Sequence, residues 1–353
     1  MKGYLVLENG EIFEGIRFGY ERDVVCEVVF NTAITGYIEI LTDPSCAGQG
    51  LVMTYPLIGN YGVINEDAES KRIWASAIFI HELAEYESNF RTNKSLEIFL
   101  KENKIPGLKN INTRKLTKTL RDNGTMRGMV TSNIENLDVI IEKIKTYDIG
   151  NVLEYVTSKT AITYASTRAK QIALIDYGSK DHIINSLLKR DVAVTVYPVN
   201  TPIEIILATR PDGIMLSNGP GDPNDCSEQV EAVKKMYKTN IPIMGIGLGH
   251  QLMGLANGFK VEKLKYGHRG ASHPVRNLET NRVYTTSQNH GYIISEESID
   301  SNIAEISYMS LNDNTVEGLK YNNKNIITVQ FYPDSCTDYI FDEFINMING
   351  GCK

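Results

Sequence analysis

The sequence lacks the marks of several large protein classes. No stretch approaches the roughly 20 consecutive apolar residues needed to cross a bilayer. The opening MKGYLVLENGEIFEG alternates like a strand and a turn, unlike a signal peptide. Five cysteines, at 26, 46, 226, 336 and 352, form no CxxC pair and no Cys/His metal spacing. An odd, irregular set of this kind argues against a disulfide framework and a zinc site, so free thiols and no metal are expected. Positive charge is not in excess either. The net charge is −7, whereas nucleic-acid binders usually carry a basic patch. Lys115 and Lys118 read as a solvated helix face. Internal repeats and low-complexity tracts are missing. Together these absences point to a soluble, cytoplasmic protein that binds neither nucleic acid nor membrane.

What is present suits two domains. The chain has 353 residues, 42% of them hydrophobic, enough for two buried cores. Residues 1–150 mix strands and helices without regular alternation. YLVLENGEIFEGIRFG carries Asn9-Gly10 between alternating segments, a hairpin signal in which both turn positions take positive φ. EVVFNT, QGLVMTYPLIG and MRGMVTS read as strands. SLEIFLKENKI, NTRKLTKTLRDNG and ENLDVIIEKIKTYD read as helices, the second closed by Asn123-Gly124. Residues 151–169 are polar and rich in Thr and Ser, as expected of a linker. From 170 to 353 strands and helices alternate: QIALIDYG, VAVTVYPV, GIMLSNGPG and IPIMGIG are each followed by a helical stretch. That rhythm implies an α/β, doubly wound, mostly parallel sheet. In such sheets ligands sit beyond the carboxyl ends of the strands, where the glycine turns fall.

One of those turns is PIMGIGLGHQ (242–251), with glycines at 245, 247 and 249. An apolar strand runs into a sharp turn and then a helix. Such turns present a reactive side chain to a pocket. The residue at the tip here is Gly247, which has none. The stretch gives no G-x-G-x-x-G in any register, which argues against a dinucleotide-binding oxidoreductase.

LSNGPGDP (216–223), GIGLGHQ (245–251) and TVQFYPD (328–334) together resemble the triad-type glutamine amidotransferase domain. FNTAITGYIEILTDPS (30–45), TYPLIGNYG (54–62), NTRKLTKTLRDNG (112–124), GHRGASHPV (267–275) and SQNHGY (287–292) extend the likeness over nearly the whole chain. The set resembles the small subunit of carbamoyl phosphate synthetase. That resemblance implies a glutaminase working with a large subunit. A cysteine at the turn attacks the glutamine amide, a histidine oriented by a glutamate moves the protons, and ammonia passes to the partner. ATP and bicarbonate are expected at the large subunit, and no cofactor in this chain. By the same resemblance, the first 150 residues contact the large subunit. Glutamine contacts fall on Ser45, Gly219, Gly221, Leu248, Gln251, Asn289, Gly291 and Tyr292, with Gly219 and Leu248 supplying oxyanion N–H groups.

The pattern breaks at the catalytic positions. The family's G-x-C-x-G reads GIGLG here, so Gly247 stands at the nucleophile position. The family's H-P-E reads Tyr332-Pro333-Asp334. Glycine forms no acyl-enzyme, a phenol with an ordinary pKa near 10 is a poor base at neutral pH, and Asp334 has no imidazole to orient. Cys336 and Cys46 lie off any strand-to-helix turn and read as ordinary thiols. His250, His268, His273 and His290 read as structural. The expectation is a small subunit with a degenerate glutaminase site, a structural or regulatory partner of an ammonia-using large subunit. Two alternatives stay open: an active enzyme with a displaced nucleophile, and a stand-alone glutamine-binding module. Sequence leaves the choice between arginine and pyrimidine supply open.

Overall fold

The computed structural model describes residues 1–165 and 167–350; Cys352 lies outside them. The chain divides into two compact units, Met1–Gly150 and Asn151–Lys353.

The first unit is built on a closed barrel of seven strands: Lys2–Leu7, Ile12–Gly19, Val24–Asn31, Gln49–Met53, Ala77–Phe79, Pro106–Lys109 and Met126–Thr131. Closure leaves no sheet edge to manage. Inward residues such as Leu5, Leu7, Val28, Val52, Phe79, Leu108 and Val130 fill one core. Helix Thr113–Asn123 has both ends satisfied. The Asn112 side chain accepts from the Lys115 N–H, and Gly124 at φ 96 ends it. Lys115 and Lys118 are exposed on that helix.

The Asn9-Gly10 hairpin forms with a different turn from the one expected. Gly10 has φ 88, but Asn9 is not among the positive-φ residues. The Gly10 N–H donates to the Leu7 carbonyl, and the Leu7 N–H donates to the Glu11 carbonyl, both at 2.9 Å. This is a type I turn followed by a left-handed glycine, the three-residue hairpin loop. Only one position needs glycine, so Asn9 is free to sit in the helical region.

The second unit centres on a ten-stranded sheet. Strands Ala193–Pro198, Gln171–Asp176, Gly213–Leu216, Ile243–Ile246 and Ile326–Val329 run parallel in that order. They are covered on both faces: Ile172 and Leu174 face one core, Ala173 and Ile175 the other. This two-sided burial is why the strands read as unbroken apolar runs. The sheet then continues antiparallel through Val316–Tyr321, Ala304–Ser310, Val261–Asn277 and Val283–Ile294. The sequence pattern gave no sign of that half.

Residues 151–169 differ from the expected linker. Helix Val152–Val156 buries Val152, Leu153 and Val156. Strand Ile162–Tyr164 pairs with Ala193–Pro198. The polar residues that suggested a linker make specific bonds. Thr157 Oγ1 donates to the Asp176 carbonyl at 2.7 Å, and the Ser158 N–H donates to the Asp176 carboxylate at 2.7 Å.

A Cβ at Gly10 would have open space, its nearest neighbour being Ile141 at 3.9 Å. Any cost of Gly10→Ala is therefore conformational, roughly 1–2 kcal/mol. Denaturant melts should show that loss for Gly10→Ala and a smaller one for Gly10→Asn. An alanine variant as stable as the parent would contradict this turn.

Candidate functional site

Three parallel strands, Gly213–Leu216, Ile243–Ile246 and Ile326–Val329, lead into Gly219 and Gly221, into Gly247 and Leu248, and into Tyr332 and Asp334. Strand Ile243–Ile246 leads into Gly247, which caps helix Leu248–Ala256 at φ 55, ψ −109. Side chains rarely tolerate that conformation. The Gly247 N–H donates to the Val329 carbonyl at 2.9 Å, and its carbonyl accepts from Gln251 at 3.1 Å. The three glycines have different reasons. A Cβ at Gly249 would fall 2.4 Å from the Leu216 carbonyl oxygen, and one at Gly245 would fall 2.9 Å from the Gly249 oxygen. Both are needed to seat the helix on the sheet. At Gly247 the nearest atoms are Asn218 Cβ at 3.4 Å and the Gln330 oxygen at 3.9 Å, ordinary contact distances. The tip has room for a side chain and carries none.

Gly219 follows strand Gly213–Leu216. A Cβ there would meet the Tyr177 oxygen at 2.3 Å and Leu248 Cδ2 at 2.9 Å. The structure thus brings Gly219 beside Leu248, the first helical residue after the turn. First-turn N–H groups have no partner inside their helix and are available to an anion. Gly221, at φ +99, completes the loop.

Gln251 is buried and donates from Nε2 to the Tyr292 carbonyl and to Gln330 Oε1, both at 2.9 Å. That places Tyr292 against the helix. Asn289 and Gly291 lie on the same strand, Val283–Ile294; Asn289 pairs with Arg269. Ser45 sits in the first unit, in the buried turn Pro44–Cys46, where its N–H donates to Asp43 Oδ1 at 2.8 Å.

Tyr332 follows strand Ile326–Val329 and is buried, its N–H donating to the Ser287 carbonyl at 3.0 Å. The Lys180 ammonium lies 4.2 Å from its ring centroid. Lys180 is itself buried, and its N–H donates to Asn218 Oδ1 at 3.3 Å. Asn218 is the residue that faces Gly247. Sequence reading missed this Lys180–Tyr332 stack, because the lysine comes from the loop after a different strand. Asp334 caps the short turn Ser335–Thr337, accepting from the Thr337 N–H while its own N–H donates to Thr337 Oγ1 at 3.2 Å.

Cys26, Cys46 and Cys226 are buried, and burial pushes Cys26 up to about 12 and Cys226 up to about 11. Cys336 is exposed, its thiol 3.4 Å from the Thr285 carbonyl. In the first unit a cleft of about 840 Å³ is lined by His81, Asn112, Arg114, Lys118 and Arg121. It contains none of the expected site residues.

Residues 5–130 match the family Carbamoyl-phosphate synthase small chain, CPSase domain, and residues 173–346 match Glutamine amidotransferase class-I. The carbamoyl phosphate synthase small chain of Clostridium perfringens is 46% identical over 98% of this chain and 99% of its own. That of Listeria monocytogenes is 44% identical over 99% and 97%. The pyrimidine-specific small chain of Bacillus subtilis is 45% identical over 99% and 96%. The chain belongs to the carbamoyl phosphate synthase small-chain family. Its second unit is a glutamine amidotransferase domain.

His250 follows the turn. Its Nδ1 lies 2.8 Å from Thr328 Oγ1, and its Nε2 has no hydrogen-bond partner. Burial lowers its pKa from 6.5 to about 3. Unfolding returns the ordinary value, so between these limits the unfolded chain binds the extra proton. His250 therefore costs stability progressively as pH falls through that window. His250→Asn should lose less stability than the parent between about pH 6.5 and pH 4, in denaturant melts at each pH. Equal slopes would contradict a buried neutral imidazole.

Proposed function

We propose that this chain is a carbamoyl phosphate synthase small subunit whose glutaminase has lapsed, acting as a structural or regulatory partner of a large subunit that uses free ammonia. The observation that carries the reading is the Gly247 tip, where a Cβ would make only ordinary contacts, the nearest with Asn218 Cβ at 3.4 Å. The turn keeps its shape, and the place where a nucleophile would project is vacant of any side chain. The residues at the other two family positions are engaged elsewhere. Tyr332 is stacked against Lys180, and Asp334 caps a turn. A thiolate splits amide hydrolysis into two easier steps only if it sits beside its base. Burial disfavours the thiolates of Cys26 and Cys226.

The first unit, residues 1–150, is proposed as the contact to the large subunit, where ATP and bicarbonate would bind. Gly219 and Leu248 remain adjacent, so the oxyanion cradle of a glutamine pocket would outlast its chemistry. The pyrimidine-specific name of the Bacillus subtilis relative supports pyrimidine over arginine supply.

The test is glutamate release from glutamine by the purified chain, alone and with the large subunit, alongside carbamoyl phosphate synthesis with each nitrogen donor. Ammonia should support synthesis and glutamine should not. In a serine protease, losing one triad member can cost about as much as losing all three, near 10⁶-fold in turnover. Gly247→Cys alone should therefore stay within about tenfold of the parent rate. Adding Tyr332→His and Asp334→Glu together should raise it well beyond that. Glutamine turnover by the unaltered chain at an ordinary amidotransferase rate would overturn the reading.

A further inference from the structure

Three strands bring metal-binding side chains together: His268, His290 and Glu317. All three are buried, and one ligand atom from each lies within 4.8 Å of the others. His268 Nδ1 is 3.3 Å from Glu317 Oε1, and His290 Nε2 is 3.9 Å from the same oxygen. The far nitrogen of each ring is committed elsewhere. His268 Nε2 lies 2.8 Å from Asp313 Oδ2, and His290 Nδ1 lies 3.0 Å from the Tyr292 carbonyl oxygen. Carboxylates and carbonyls only accept, so in neutral rings those nitrogens carry the protons. The lone pairs then fall on His268 Nδ1 and His290 Nε2, both on the side of Glu317. Gln288 Oε1 adds another acceptor, 3.1 Å from His290 Nε2, while the Gln288 amide donates to Glu317 Oε2 at 3.0 Å. With both rings neutral, acceptors face acceptors here, an arrangement that either a bound cation or an added proton relieves.

We propose that His268, His290 and Glu317 bind a divalent transition-metal ion of the zinc type. A histidine whose remote N–H is anchored on a carboxylate or a backbone carbonyl is the usual form of a metal ligand, and both rings here have it. Tetrahedral bonds of 2.0–2.1 Å place donor atoms about 3.3 Å apart. The His268 Nδ1–Glu317 Oε1 pair, at 3.3 Å, already has that spacing, whereas His290 Nε2, at 3.9 Å from the same oxygen, has to move in on binding. Gln288 Oε1, 3.1 Å from His290 Nε2, is a further oxygen donor beside the cluster. The charges balance, since Glu317 and Asp313 together offset the ion. Arg269, a neighbouring cation, donates to the Tyr266 carbonyl at 2.6 Å. The bound ion would tie strands Val261–Asn277, Val283–Ile294 and Val316–Tyr321 together. This is independent of whether the turn at Gly247 hydrolyses anything.

The competing occupant is a proton, which would make His268 an imidazolium between two carboxylates. The full chain, stripped with a chelator, is titrated with Co²⁺ and then Zn²⁺. The expected result is one ion per chain, with the visible bands of tetrahedral cobalt and no sulfur charge-transfer band. Zn²⁺ should displace the cobalt, and the melting temperature should rise with either metal. Glu317→Gln should abolish binding. Asp313→Asn, which removes only the anchor behind His268, should weaken it about 10–100-fold. Stripped wild-type protein that takes up no cobalt and melts unchanged would overturn the site, whatever the variants do. Full affinity in a folded Glu317→Gln would also overturn it.

Discussion

Helix Leu248–Ala256 lies against the sheet at a distance that leaves no room for side chains at Gly245 or Gly249. Strand and helix are locked together by that contact, and the chain between them must turn within one residue. Gly247 absorbs the turn at φ 55, ψ −109. Everything else at this edge of the sheet is arranged around it. Gly219 is drawn against Leu248, Gln251 reaches Tyr292 and Gln330, and the Val329 carbonyl receives the Gly247 N–H. Removing the side chain at the tip leaves the scaffold standing. Glycine adopts these dihedrals at less cost than any other residue, with strain for other residue types of order 1–3 kcal/mol. Loss of a nucleophile here would relieve the fold while ending the reaction.

The polar groups that remain are structural in their present contacts. Lys180 is stacked on Tyr332 and tied through its backbone to Asn218, so the loops after three strands are joined. His250 is neutral and sealed, bonded to Thr328. A site built for proton transfer needs groups poised near the working pH. The imidazole that follows the turn is held far from that range.

Sequence made the parallel half of the second unit legible because its strands are buried on both faces. Ile172 to Ile175 read as a continuous apolar run for that reason. The antiparallel half escaped notice. Val261–Asn277 is long and polar, and its pairing with Val283–Ile294 shifts register between Lys263 and His268 and again between Gly270 and His273. Those shifts erase the two-residue period. The helix Tyr37–Thr42 is too short to show a helical period. Gly247, Tyr332 and Asp334 stood out because each lies inside a contiguous motif. Lys180 beside Tyr332, and the cluster of His268, His290 and Glu317, arise only when separate strands meet, and no spacing along the chain announces them.

The central claim is that no reactive sulfur meets a bound glutamine at this turn. The most direct measurement is intact-mass analysis after incubation with an electrophilic diazoketone analogue of glutamine, with and without glutamine as protectant. The account predicts no glutamine-protected adduct on any cysteine. A stoichiometric adduct that glutamine prevents, mapped to Cys336 or another thiol, would contradict it.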